Sequence, residues 1–68
     1  MNKTDQYVKS LNEDFNLSLT GIYPHTGKTQ VNLDKYNRVI VKDFGNGLGR
    51  VIYIDNQNRL VANNMEKL

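Results

Sequence analysis

Apolar positions recur at helical spacing near the start of the chain and at every second position over most of the remainder. Within residues 4–16, Tyr7, Val8, Leu11 and Phe15 fall on one stripe about 100° wide, which predicts a helix. Thr4 is placed to cap its start, and Asp5 suits the positive end of the helix dipole. Asp5 and Lys9, then Lys9 and Glu13, set opposite charges one turn apart. Asn16 tolerates the left-handed conformation that ends a helix. A helix this short is marginal alone, so it needs a surface to cover.

From residue 17 the period changes to two. Leu17, Leu19 and Tyr23 lead into Pro24-His25-Thr26-Gly27, a turn with proline at its second position. Alternating or apolar runs follow at 29–33, 38–44, 50–54 and 59–62. With short connections throughout, the expectation is an α+β domain. Its N-terminal helix packs on a twisted, antiparallel, five-stranded meander over residues 17–62, and residues 63–68 form a tail. The run Val51-Ile52-Tyr53-Ile54 is apolar on both sides. One helix covers only one face. The sheet must therefore curl toward a small barrel, or a partner or second copy must cover the rest. A homodimer through Ile40, Phe44, Ile52 and Ile54 is one such solution.

The connections carry the clearest local signal. Asp34-Lys35-Tyr36-Asn37-Arg38 is echoed by Asp55-Asn56-Gln57-Asn58-Arg59, and three apolar residues follow each copy. Asp accepts from the amides of its own turn, and Asn in the fourth place takes a positive φ. Both copies thus read as tight hairpins with a bulge. Gly45, Gly47 and Gly49 mark a flexible hairpin loop with Leu48 near its tip.

Motifs for catalysis or cofactors do not survive inspection. Gly27-Lys28-Thr29 resembles the end of a phosphate-binding loop, but Ile22 stands where the first glycine is required and a strand pattern follows. The glycines at 45–49 have the wrong spacing for a dinucleotide fingerprint. His25 is the single histidine and there is no cysteine, so no zinc set exists. Asp55-Asn56-Gln57-Asn58 lacks the alternating ligands of a calcium loop. The expectation is a non-enzyme with no cofactor.

Composition narrows the class further. The chain has 68 residues and a formal charge of +2, which supports one domain and excludes a disulfide scaffold. The start has no apolar stretch of the export type, and no window is long enough to span a membrane, so a cytoplasmic location is expected. Asparagine is frequent. Turn chemistry accounts for part of this, and the rest fits the coding bias of AT-rich bacteria and their phages.

Charge is the remaining handle. Residues 34–50 carry Lys35, Arg38, Lys42 and Arg50 against Asp34 and Asp43. By alternation Tyr36, Arg38, Ile40, Lys42 and Phe44 share one face of their strand, and Arg50, Ile52 and Ile54 share one face of the next. If the two sets coincide, basic residues interleave with aromatic and aliphatic ones on one surface. The opposite face then holds Val39, Val41, Val51 and Tyr53 under the helix. Tyr36, Arg38, Ile40, Lys42, Phe44, Leu48, Arg50 and Ile52 are accordingly the expected partner-binding residues. The leading functional expectation is a phage or mobile-element accessory protein. It would bind and inhibit a larger host protein, such as a defence nuclease, by occupying its surface. The alternatives are a nucleic-acid-binding regulator, with Arg38, Lys42 and Arg50 on phosphates and Tyr36 or Phe44 stacking on bases, and a structural homodimer.

Overall fold

The computed structural model describes residues 2–24 and 31–68. Helix α1 (Lys3–Phe15) is followed by β1 (Gly21–Ile22), a short 3-10 turn (Leu33–Lys35), β2 (Asn37–Asp43), β3 (Leu48–Ile54) and β4 (Arg59–Lys67). The α+β class is as expected. The sheet has four strands rather than five, in the order β1-β4-β3-β2, and it is mixed: β1 runs parallel to β4, while the other pairs are antiparallel.

Asn2, not Thr4, caps the helix, its side-chain oxygen accepting from the Asp5 N–H at 2.8 Å. Asn16 ends the helix in the left-handed region, with φ 56°. Val8 and Leu11 are buried, Phe15 is half-buried, and Tyr7 is exposed at the edge of the stripe.

Residues 17–20 alternate like a strand and yet are not one. The Asn12 side chain occupies both backbone groups of Leu19: its oxygen accepts the Leu19 N–H at 2.7 Å, and its amide donates to the Leu19 carbonyl at 3.0 Å. A helix side chain thus replaces the strand partner. Only Gly21–Ile22 then reach the sheet, beside Arg59 and Leu60 of β4.

The expected strand at 29–33 is also absent where it can be seen. Val31 and Asn32 are irregular, and Leu33–Lys35 form the 3-10 turn, with the Asn32 oxygen accepting from the Asp34 N–H. The rest of that run, the turn at Pro24-His25-Thr26-Gly27 beyond Pro24, the Gly27-Lys28-Thr29 triplet and His25 lie outside the described residues. The chain leaves β1 at one edge of the sheet and returns as β2 at the other. This return is why the topology is not a meander.

It also explains how a strand with two apolar faces is accommodated. On one side Ile52 and Leu60 pack with Val8, Leu11 and Leu19 beneath the helix. On the other, Val51, Tyr53 and Val61 pack with Tyr23, Val31, Leu33 and Tyr36. The chain covers its own second face, and the sheet stays open instead of closing into a barrel. Residues 63–67 continue β4 and are not a tail.

The two echoed pentads fold differently. Asp55 makes the expected hairpin: its Oδ1 accepts from the Gln57 and Arg59 N–H groups, both at 2.8 Å, Asn58 has φ 61°, and a bulge follows. Val31 and Asn32, just before Asp34, are in no strand, so its copy becomes the 3-10 turn, and Tyr36 packs edge-on against the Tyr23 ring with centroids 5.7 Å apart. The β2–β3 hairpin forms at the expected place with a shorter loop than expected: β3 begins at Leu48, so Leu48 and Gly49 already belong to the strand. Gly45 and Gly47 both take φ 84°, a conformation costly for any residue with a Cβ.

Candidate functional site

A register shift in β2 decides which side chains meet. Val39 lies opposite Ile52, Ile40 opposite Val51, and Lys42 opposite Arg50, so the strand gains one residue between Ile40 and Lys42. Such a bulge exchanges the faces of everything beyond it. Arg38 and Ile40 therefore share the second face with Tyr53 and Val51. Lys42 and Phe44 cross to the helix side and join Arg50. The expected basic surface is divided in two.

On the second face Arg38 is already committed. Its Nη2 donates to Glu66 Oε1 at 3.1 Å, and the Tyr53 hydroxyl donates to Glu66 Oε2 at 2.6 Å. The tyrosine hydrogen bond, together with the guanidinium, holds the Glu66 carboxyl below its ordinary value against the opposing effect of burial. The same bond raises the Tyr53 hydroxyl. Ile40 stands beside this clamp and is 50% exposed. Tyr36 is half-buried in the second-face cluster. Ile52 is fully buried under the helix and cannot face a partner. These placements separate Tyr36, Arg38, Ile40 and Ile52 from the remaining expected residues.

The remaining four are brought together. Lys42, Phe44, Leu48 and Arg50 lie at the hairpin end of the helix side, where cross-strand pairing adds Met65 beside Arg50 and Lys67 beside Leu48. Arg50 Nη1 donates to Asn63 Oδ1 at 3.3 Å, and Asn63 Nδ2 donates to the Tyr7 hydroxyl at 2.9 Å, which ties the patch to the helix. Lys42 Nζ stands 5.4 Å from the Phe44 ring centroid. Phe44, Met65 and Tyr7 are each more than two-fifths exposed. Leu48 is half-buried within β3 and is not at the loop tip.

Lys42, Arg50 and Lys67 have no carboxylate partner among the described residues, whose ion pairs are Arg38–Glu66 and Arg59–Asp55. Two cations placed directly opposite on neighbouring strands repel, so their charges oppose the fold even though Arg50 bonds to Asn63 and Lys42 stands over the Phe44 ring. The patch is therefore an uncommitted cationic surface with exposed aromatic and thioether groups.

No protein-family model, curated protein or solved structure matches this chain. Its function must be argued from the site itself.

Sequence reasoning missed Tyr7, Asn63, Met65 and Lys67 as members of the patch. Tyr7 was read only as core stripe. The polar pair Asn63-Asn64 interrupts the apolar run that marks β4, which hides the strand's continuation. Two further features bound the chemistry. Among the described residues, no group of three or more His, Asp or Glu is placed to hold a metal, and no helix is long and apolar enough to cross a membrane. A groove of about 410 Å³ between α1 and β1 is lined by residues including Asp5, Val8, Lys9, Asn12 and Glu13, whose charges are mixed.

Proposed function

We propose that this protein is a non-enzymatic module that acts by stoichiometric binding, occupying an acidic surface of a larger protein through the Lys42–Arg50 patch. The observation that carries the reading is the unpaired cross-strand pair of cations beside exposed Phe44, Tyr7 and Met65. Aromatic residues, Met and Arg are the types enriched in the centres of protein interfaces. The inhibitor role in a phage or mobile element extends this reading and rests on size and asparagine-rich composition. A nucleic-acid ligand is the second reading, favoured by the same cations standing next to aromatic rings.

The test is capture from a nuclease-treated bacterial lysate on the immobilised protein, followed by a wash at about 0.5 M salt. The expected result is one large protein that is retained by the wild type and lost by the Lys42→Glu/Arg50→Glu variant and by Phe44→Ala. Capture of nucleic acid, or of protein that is retained only when nuclease is left out, replaces this reading with the nucleic-acid one.

A further inference from the structure

β2 is the terminal strand of the sheet, seven residues long, and nothing among the described residues pairs with its outer side. An edge of this length is a template for another strand. Its two faces make different demands. On the helix side the edge presents Lys42, with Arg50 one strand further in, and neither has a carboxylate partner among the described residues. On the second face it presents Ile40, half of whose surface is exposed. A strand docked here alternates sides like any other. One acidic residue would meet Lys42, with Arg50 behind it at the same level, and the neighbouring residue, aliphatic and on the other face, would cover Ile40.

We infer that β2 binds, by strand addition, an extended segment of the larger protein that sets an acidic residue against Lys42 and an aliphatic neighbour against Ile40. This rests on the binding role proposed above and specifies the chemistry of the partner. A second copy of this chain is a poor occupant. Its β2 carries Arg38 and Lys42 against Asp43, a strand of net positive charge that does not complement a cationic edge.

The probe is an acetylated and amidated peptide that alternates valine and glutamate over the length of β2. It is titrated to about 1 mM against the isotope-labelled protein, with the amide spectrum as readout. Expected are shifts concentrated on Asn37–Asp43 and binding about tenfold weaker for Lys42→Glu. Binding is also expected to be lost when the peptide is N-methylated on the residues that would face β2, a change that preserves every charge. Equal binding of the methylated peptide overturns strand addition and leaves the patch reading intact. Absence of peptide binding, while the lysate partner is still lost by the Lys42→Glu/Arg50→Glu variant, overturns this inference alone. Oligothymidylate binding at the same amides overturns both. Self-association of the free protein that perturbs β2 overturns the choice of occupant.

Discussion

Ile52 and Arg50 are two residues apart on the same side of β3, and they inhabit different regions of the molecule. Ile52 is fully enclosed by the helix and its flanking strands. Arg50 lies beyond the apolar part of the helix, held by one long hydrogen bond to Asn63 and facing Lys42. One strand thus runs from a region where every contact serves the fold into one where the charges oppose it. The difference marks out the candidate site more sharply than composition does. A formal charge of +2 over the whole chain is unremarkable, whereas three cations with no carboxylate partner among the described residues, on one end of one face, are not.

The largest effect should come from breaking the covered region. Ile52→Ala removes a side chain with no solvent exposure and leaves a cavity between helix and sheet. A loss of about 2–5 kcal/mol is expected in urea denaturation, most of the stability of a domain this size. A loss under about 1 kcal/mol would show that the helix does not depend on this contact and would weaken the division into regions.

The second face sharpens the comparison, because its cations are paired. Glu66 is held below its ordinary value of 4.5 first by the Tyr53 hydroxyl, and Arg38 adds to this. At Asp55, burial pushes the carboxyl up. The Arg59 N–H and guanidinium and the Gln57 N–H outweigh it and hold the group below 3.8. A carboxyl depressed in the folded state contributes stability above its unfolded value and loses it as pH falls through the folded one. Stability should therefore hold near neutrality and decline as pH drops below about 4.5, Glu66 first and Asp55 later. In Glu66→Gln the first part of that decline should vanish. An unchanged acid profile in this variant would mean that the Arg38–Glu66–Tyr53 clamp does not act in solution.

Much of this was legible in the sequence, and the failures share a cause. The helix, the Asp55–Asn58 turn and the place of the glycine hairpin depend on local chemistry, and they formed, with a different cap on the helix and a shorter hairpin loop. The strands at 17–20 and 31–33 failed because alternation cannot reveal that Asn12 will take Leu19's backbone bonds, or that the chain will recross the sheet. The site was half legible for a similar reason. Lys42, Phe44, Leu48 and Arg50 do converge. One inserted residue after Ile40 sent Arg38 and Ile40 to the other face, and parity arguments assume that no such insertion exists. Tyr7 and Asn63 were out of reach because their contact spans almost the whole chain.

The smallest expected effect is the most discriminating. If Lys42 and Arg50 are retained for a partner and not for the fold, removing one charge should not harm stability. Arg50→Gln gives up one long hydrogen bond to Asn63, keeps a polar side chain and ends the repulsion with Lys42. Stability should rise by a few tenths of a kcal/mol at about 10 mM salt, and the gain should fade near 1 M as the repulsion is screened. A clear loss at both salt concentrations would assign Arg50 to the fold through Asn63 and Tyr7, and the contrast with Ile52 would collapse. A gain at low salt together with lost capture of the lysate protein would separate the two regions in one variant, since a change that stabilises the fold cannot abolish binding by unfolding it.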